Sequence, residues 1–351
     1  RIYKPISYFD FPKNYGSLTS IDTINNNQVL VRFENKSYVY NALTAIQTSS
    51  GKNAYLGNDD VFKAPPIDFG ETDLGYAGSQ HHLFLRTEAG HLFIDAKRGN
   101  IFLINGTGVT PISDIGMNKW LGRNLEFNIS KYFPNVKTDN HFNGIGLCGV
   151  WDSGYSRFII TKLDYEPLAD KVADMTYDAY FGKFKWKGMD ILLEDPTYFC
   201  NKSWTLSYSP GTKSWISWHS YLPNYYIGLN GTFLTGKNAP LNNQKSSVWL
   251  HNAVHTSYQT FYGKLEPYVL EYPFVYKAQD EIFQNVKDYT TILEYYNEND
   301  FYEINDNVYF NKAVLYNNQQ CSGIRKLYPR PKGDMSKYFS YPKANADNIE
   351  I

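Results

Sequence analysis

Short runs of β-branched and aromatic residues, separated by turn residues, recur along most of this chain. The runs at 29–33 and 37–40 flank the turn 34–36, a spacing typical of a β-hairpin. Tyr, Phe and Trp make up 17% of all residues, and these side chains favour strands. The pattern predicts an all-β protein in which strands far outnumber helices.

The strand-like runs also group into larger units. Residues 82–104 predict a three-strand meander, and residues 204–250 predict a second series of closely spaced strands. About four antiparallel strands in roughly 40–50 residues is the period of a β-propeller blade. We therefore expect a β-propeller-like body of antiparallel blades over residues 1–265, with an irregular β-sandwich as the alternative architecture.

One helix is predicted to interrupt the strands, at residues 114–133. Ser113 or Asp114 is placed to cap it, and Pro134 follows its end. Apolar residues recur there at helical spacing: Trp120, Leu121, Leu125, Ile129 and Phe133. We expect this helix to be an insertion on one face of the body.

Composition changes after Gly263. Tyr-rich runs, joined by acidic and Asn-rich loops, predict strands at 268–272, 289–295 and 313–316. We expect a small β-sandwich-like domain at 266–326 and an extended C-terminal arm at 327–351. Large amphipathic side chains suit interfaces, so three tyrosines are candidate interface residues: Tyr289, Tyr295 and Tyr316.

Four tryptophans are further candidate structural or interface residues: Trp120, Trp204, Trp215 and Trp218. Strict strand alternation predicts that the Trp215 side chain faces the other side of its strand from Ile216 and Trp218, so that the tryptophans have different roles. Exposed Trp and Tyr rings can also stack on sugars. A glycan-binding, lectin-like propeller is therefore one alternative function.

Charge and targeting signals exclude several classes. The chain has 34 basic and 35 acidic residues without a basic stripe, so a nucleic-acid binder is not expected. It has no apolar run of about 18 residues and no signal-peptide order at its start, so no membrane partner is expected. Cys148, Cys200 and Cys321 are few and widely spaced, which favours reduced thiols in a protein made in the cytosol.

Common catalytic and cofactor motifs are absent from the sequence, including the P-loop, HExxH and GxSxG. No enzyme activity, cofactor or metal is therefore expected. Acidic residues do cluster in one loop, and glycosidases need a carboxylate pair about 5–10 Å apart. We interpret the loop as solvated, with a glycoside hydrolase as the other alternative. The cluster comprises Asp59, Asp60, Asp68, Glu71 and Asp73.

Three blocks resemble one known family. They are residues 203–225, with a Trp-Thr-Leu-Ser-Tyr run followed by Lys-Ser-Trp-Ile-Ser-Trp, residues 263–272 and residues 310–323. Their order is similar to the stabilisation, or muzzle, protein of crAss-like bacteriophages. The resemblance implies a structural tail protein of a short-tailed virion, with a propeller-like body and no active-site residues. Family members are longer, and this chain starts at Arg1, so we expect it to be a portion of one.

The resemblance also implies partners and a location. We expect a ring of copies, together with other tail and portal-adjacent proteins, around the DNA exit channel. Near-neutral charge suits a wall that DNA passes without specific binding. We expect synthesis in the bacterial host cytoplasm and residence in the virion tail. Residues 267–323 should contribute to subunit contacts, because a domain of about 60 residues buries little surface by itself.

Overall fold

A computed structural model describes most of the chain and places it in two compact units, Arg1–Pro267 and Tyr268–Ile351. Strands dominate, so the all-β prediction is confirmed. No helix in the described part is long and apolar enough to cross a membrane. The described residues are 8–25, 28–41, 43–47, 53–57, 65–68, 83–105, 108–237, 247–253, 259–271, 287–289, 293–296, 301–304, 309–316, 320–329 and 338–340.

The first sheet is antiparallel and forms around the predicted hairpin. The first six strands are β1 (Leu18–Asn25), β2 (Gln28–Phe33), β3 (Ser37–Asn41), β4 (Leu43–Gln47), β5 (Asn53–Gly57) and β6 (Ile67–Asp68). Strands β1, β2, β3 and β6 make the first sheet, and β4 pairs with β5. Strands β2 and β3 pair around residues 34–36, which confirms the hairpin.

The second sheet is the predicted meander with one more strand. Its strands are β7 (Phe84–Thr87), β8 (Gly90–Asp95), β9 (Asn100–Asn105) and β10 (Gly108–Pro111). Both of its faces are apolar. Phe93 and Phe102 pack against Leu30 and Val39 of the first sheet. Leu92, on the other face, belongs to the main core.

The predicted single helix at 114–133 is wrong. A 3-10 turn (Ile112–Asp114) precedes two short helices, α1 (Asn118–Asn124) and α2 (Ile129–Tyr132), and no side chain caps α1. The physical reason is a competing partner for the backbone. The ammonium of Lys162 donates to the carbonyl oxygens of Asn124 (2.7 Å) and Glu126 (2.6 Å), which a continuous helix would use internally.

The third sheet is central to the first unit. The next strands are β11 (Gly146–Asp152), β12 (Arg157–Leu163), β13 (Tyr165–Pro167), β14 (Met175–Asp178), β15 (Lys183–Trp186), β16 (Met189–Ile191), β17 (Phe199–Asn201), β18 (Trp204–Ser209) and β19 (Ser214–His219). The central sheet has the order β11-β12-β18-β19. The pair β13-β17 and the meander β14-β15-β16 lie in the connection between β12 and β18.

A fourth sheet follows, built from β20 (Tyr225–Gly228), β21 (Phe233–Lys237) and β22 (Ser247–His251), and then the short pair β23 (Thr260–Phe261) and β24 (Lys264–Leu265). The spacing predicted that residues 204–250 form one blade-like unit, and this is wrong, because these residues are divided between two sheets. Strand β18 pairs with β12 instead, because Leu206 lies opposite Ile160 and both side chains join the main core.

The four sheets are packed in chain order, with an apolar layer between each sheet and the next. Leu30 and Phe93 mark the first layer, Leu92 and Phe158 the main core, and Ile159 and Phe233 the third. Helices α1 and α2 bury Leu121 and Ile129 in the main core. Among the described residues the sheets form no closed barrel or propeller.

The second unit has small sheets. Its strands are β25 (Lys287–Tyr289), β26 (Leu293–Tyr296), β27 (Phe301–Ile304), β28 (Lys312–Ala313), β29 (Arg325–Lys326), β30 (Tyr328–Pro329) and β31 (Tyr338–Ser340). Strands β30 and β31, from the predicted arm, share a sheet with β25. The predicted strand at 268–272 is wrong for the described residues 268–271, which are exposed and belong to no sheet. A sandwich in this unit stays a prediction.

Candidate interaction surfaces

A buried ion pair anchors the helical insertion to the central sheet. Lys162 and Asp164 are fully buried, and their side chains meet at 2.7 Å. The Asp164 carboxylate also accepts from the backbone N–H groups of Asn128 (2.8 Å) and Ile129 (3.3 Å). Burial lowers the pKa of Lys162, and the neighbouring Asp164 opposes that shift. The pair therefore fixes where α1 ends and where α2 begins.

Three of the candidate tryptophans form one row from the core to the surface. The Trp120 ring lies 5.3 Å from the Trp204 ring and 4.6 Å from the Trp218 ring, edge to face in both cases. Trp204 is buried and donates its Nε1–H to the carbonyl of Asn124 (3.3 Å). Trp218 is 57% exposed. The row therefore ends in the accessible Trp218 indole, which packs against Trp120 and, through it, against the buried Trp204.

The predicted opposite facing of Trp215 and Trp218 is wrong. Ser217 lies opposite Ser207, but Trp215 lies opposite Tyr208, so Ile216 is an extra residue on β19. Such a β-bulge breaks the alternation. Trp218 lies opposite Leu206, two residues from Tyr208 on β18, so both tryptophans share one face of the central sheet.

Trp215 has a structural position. Its Nε1–H donates to the carbonyl of Ile112 (3.1 Å), and its ring packs on Tyr208 at 5.3 Å. The side chain is half-buried against the main core. Trp215 therefore connects the central sheet to the 3-10 turn that precedes α1.

A layer of polar groups lies beside the apolar residues that join the central and fourth sheets. A hydrogen bond links Thr161 to the Tyr226 hydroxyl (2.6 Å), and another links Thr161 to Thr205 (2.8 Å). On the fourth sheet, Thr235 is paired with His251 (2.8 Å). Burial raises the pKa of Tyr226 well above its usual value and lowers the pKa of His251 to about 4. These groups are uncharged at neutral pH and serve packing.

The fourth sheet presents an apolar outer face to solvent. Cross-strand register places Ile227, Leu234 and Leu250 in one row and Tyr225, Gly236 and Val248 in the next. Neither of these described rows contains a charged residue. Val248 is 61% exposed and Leu250 52%. We call this surface, formed by the six residues, the outer face.

A second exposed apolar feature is the tip of the β14–β15 hairpin. Tyr180 is 89% exposed and Phe181 68%, and their rings meet edge to face at 4.8 Å. Asp178 Oδ1 accepts from the backbone N–H groups of Tyr180 (3.1 Å) and Phe181 (3.2 Å). The Phe181 N–H lowers the pKa of Asp178 more than any other group does. We call Tyr180 and Phe181 the aromatic tip.

Sequence reasoning missed both surfaces, although their signals are present. Every second residue of β20, β21 and β22 is apolar or Gly, and these residues face outward. That they form one surface is recognised only when the register of the three strands is known. The Asp178-x-Tyr180-Phe181-Gly182 run is a turn signal that carries two aromatic residues.

The candidate tyrosines lie in the second unit. Tyr289 ends β25 and Tyr295 lies in β26, but their side chains fall outside the described part of the structure. Tyr316 is 62% exposed and forms an isolated bridge with Cys321. The structure therefore supplies an accessible position for Tyr316 alone among the three.

The acidic loop is only partly described. Asp68 pairs with Tyr38 as part of β6, and the other four acidic residues lie outside the described residues. Two buried carboxylates elsewhere have structural partners. Asp164 holds Lys162, and Asp152 holds Arg157 (2.9 Å). Within the described ranges, no group of three or more His, Cys, Asp or Glu side chains could bind a metal ion. All three cysteines are free thiols.

Comparison with models of known protein families shows to which family the chain belongs. The model of the Crassvirus muzzle protein family matches residues 3–239, about two thirds of the chain. The chain belongs to this family. The muzzle match includes the block at 203–225, whereas the blocks at 263–272 and 310–323 lie beyond it. No curated protein matches the chain. Family membership makes the chain a structural protein of a crAss-like phage virion.

Proposed function

We propose that this protein stabilises the tail of a short-tailed phage, next to the portal, without catalysing a reaction. The match to the muzzle family over residues 3–239 carries the proposal. The accessible apolar surfaces of the first unit support it, because exposed apolar patches mark protein interfaces. In this function the chain forms a ring of copies around the DNA exit channel and contacts other tail proteins.

We infer that the stacked sheets are part of a propeller-like body. Successive antiparallel sheets that cover one another in chain order are the arrangement of propeller blades. The three apolar layers between the four sheets support this inference. Near-neutral charge, −1 in formal terms, suits a channel wall that lets DNA pass.

Electron cryomicroscopy of virions tests both parts of the proposal. We expect density for this chain as a closed ring of copies at the tail, coaxial with the portal channel. A chain tagged at a surface loop should place the label at the tail and not on the capsid shell. A label confined to the capsid or absent from virions would contradict the tail assignment.

A glycan-binding role is the second candidate, because the exposed Trp218 ring rests on Trp120 like a stacking platform. Glycan-array binding that Trp218→Ala abolishes would favour it. If the protein only stabilises the tail, both the wild type and Trp218→Ala should give background signals on the glycan array, and virions that carry Trp218→Ala should stay intact. Sugar release from host polysaccharide by the purified chain would instead point to a glycoside hydrolase.

A further inference from the structure

We propose that the side chains of Lys162 and Asn128 react with each other to form an intramolecular isopeptide bond, with Asp164 as the catalytic carboxylate. Lys162 lies on β12 of the central sheet, and Asn128 directly precedes α2. The bond therefore joins the helical insertion covalently to the central sheet. The inference does not depend on the proposed function, because all three side chains belong to the first unit.

A single carboxylate oxygen binds both reacting groups. The ammonium of Lys162 donates to Asp164 Oδ2 at 2.7 Å, and the Asn128 side-chain amide donates its Nδ2–H to the same oxygen at 2.9 Å. The Lys162 Nζ and Asn128 Nδ2 atoms are therefore no further apart than the sum of these two distances. Groups held next to each other in this way react as if they were present at very high concentration.

The nucleophile lies in apolar surroundings. Lys162 is the one buried lysine among the residues that the structure describes, and its Nζ lies 4.9 Å from the centre of the Phe127 ring. Burial lowers the pKa of Lys162, although the neighbouring Asp164 opposes this shift. Only the neutral amine attacks a carbonyl carbon, so burial increases the share of the reactive form.

The Asn128 amide is oriented for this attack. Its Nδ2 faces Asp164, and its Oδ1 accepts from the ammonium of Lys131 at 3.2 Å. Negative charge develops on Oδ1 when Nζ attacks Cγ, and a positively charged donor stabilises that charge. The leaving nitrogen lies against a carboxyl group that can protonate it. Lys131 is exposed, so it assists the reaction without being required for it.

The catalytic carboxylate is itself held in place. Asp164 Oδ1 accepts from the backbone N–H groups of Tyr165 (2.9 Å) and Ile129 (3.3 Å). Asp164 Oδ2 also accepts from the backbone N–H of Asn128 (2.8 Å). These bonds fix the carboxylate relative to both β12 and the start of α2. Both reactants therefore meet without rearrangement of the chain.

The reaction balances without any further reactant. Lys162 gives one proton to Asp164, and the neutral amine attacks Cγ of Asn128. Asp164 then passes its proton to Nδ2 and accepts one from Nζ. The Cγ–Nδ2 bond breaks after the Nζ–Cγ bond has formed, and Nδ2 leaves as ammonia. The products are a neutral amide, a protonated Asp164 and one molecule of ammonia.

The bond changes how the insertion is attached. The present contacts between α2 and β12 are hydrogen bonds and an ion pair, which open when the structure opens locally. An amide bond stays closed in such events. It also closes a loop over residues 128–162 in the unfolded chain, which lowers the conformational entropy gained on unfolding.

Mass spectrometry of the purified and denatured full chain tests for the bond. We expect a mass lower than that of the sequence by one molecule of ammonia. Asn128→Ala removes the reacting amide and should show the full mass of its own sequence. Lys131→Met is the control, because it removes the other amine within hydrogen-bond distance of Asn128 and should keep the loss of ammonia. Circular dichroism of the native variants verifies that each one folds.

Trypsin digestion locates the bond. Trypsin does not cleave after a lysine whose Nζ is acylated, so the cut after Lys162 should be missing. We expect a branched product in which peptide 124–131 is joined to peptide 158–171, lighter than the two together by one molecule of ammonia. The cleavage sites that define these peptides are Arg123, Lys131, Arg157 and Lys171.

Asp164→Asn tests the catalytic role of the carboxylate. The substitution keeps the size of the side chain but removes the group that accepts the proton of Lys162. A folded Asp164→Asn chain should show the full mass of its own sequence. A folded variant that still gives the branched product would show that Asp164 is not the catalyst. If this variant does not fold, the wild type and Asn128→Ala still decide whether the bond exists.

Several outcomes overturn the proposal. A folded wild-type chain at the full mass of its sequence overturns it, as does a loss of ammonia that disappears in Lys131→Met. A loss that persists in Asn128→Ala also overturns it. Such a loss in a linear peptide would point to cyclisation of an asparagine that precedes glycine, as at Asn143 or Asn230.

Discussion

Lys162 and Asp164 show how two buried charges set the local chain path. Lys162 uses its three donors on Asp164, Asn124 and Glu126. The Asp164 carboxylate accepts from its lysine partner, from backbone N–H groups and from the Asn128 side chain (2.9 Å). A fully satisfied pair of this kind is tolerated inside a protein, whereas a broken one is costly.

Loss of the ammonium should therefore destabilise the fold strongly. We expect Lys162→Met to lower the free energy of unfolding by about 3–5 kcal/mol, because Asp164 would be left buried without its counter-charge. Urea denaturation followed by Trp fluorescence measures the change. Lys131→Met, at an exposed position of α2, is the control and should have little effect.

The double variant Lys162→Met/Asp164→Leu should not recover stability. Apolar replacement of a buried pair is often neutral, but here the pair also satisfies backbone groups of residues 124–129. Full recovery in the double variant would show that the backbone contacts have no energetic weight.

The tryptophan row predicts a gradient of stability effects. Trp204→Ala should cost about 3–5 kcal/mol, because it empties a buried site in the main core. Trp218→Ala should cost about 1 kcal/mol or less, because more than half of its ring is already in water. Chemical denaturation of both variants decides the order, and equal costs would contradict the burial that the structure assigns.

At the scale of elements, the bulge in β19 is the feature with the largest consequence. Ile216 is exposed and is the residue that breaks the pairing between β18 and β19. Because it is extra, Trp215 and Trp218 both reach the face that carries the main core. Regular alternation would turn one of these indoles to the polar layer at Thr205 and Ser207.

Deletion of Ile216 should therefore be tolerated. Removal of the extra residue leaves Trp215 opposite Tyr208 and Ser217 opposite Ser207 in a regular ladder. We expect a loss of about 1 kcal/mol or less in the free energy of unfolding. Deletion of Ile159 from the regular ladder of β12 is the matched control. It should prevent folding, because every later side chain of that strand changes face.

At the scale of the whole molecule, buried histidines predict a pH dependence. Burial lowers the pKa of His219 to about 3 and that of His251 to about 4, against about 6.5 in an unfolded chain. Between these values the unfolded chain binds protons that the folded chain excludes, so stability should fall as pH falls from about 6.5 to 4. Urea midpoints at several pH values measure this slope.

The histidine contribution can be separated from an opposing one. Burial raises the pKa of Asp95 to about 6, so protonation of Asp95 favours the folded chain over part of the same range. His219→Gln/His251→Gln should reduce the slope, because the double variant keeps only the lowered pKa of His91, which Asp95 opposes. An unchanged slope would show that these histidines are solvated in the folded protein.

The division into two units predicts a separable role for the second. Deletion of residues 268–351 should leave the first unit folded, because its core layers lie wholly within Arg1–Pro267. We expect the truncated chain to keep its thermal transition and to be missing from purified virions. Normal incorporation would show that residues 267–323 are not an assembly element.

The sequence by itself determined the all-β class, the β2–β3 hairpin and the meander from β7 to β9. These features depend on contacts between neighbours in the chain, and alternation and turn residues report such contacts directly. The sequence identified the tryptophans as candidate structural or interface residues, but it did not predict which face of the sheet each side chain occupies.

Only the tertiary structure decided which strands share a sheet and where the helical segment breaks. Strand β18 meets β12 across residues 164–203, and the end of α1 depends on Lys162, far along the chain. The outer face exists because three strands align in one register, and the aromatic tip is exposed because the rest of its hairpin packs on the main core. Such features depend on non-local burial, and local sequence patterns do not encode it.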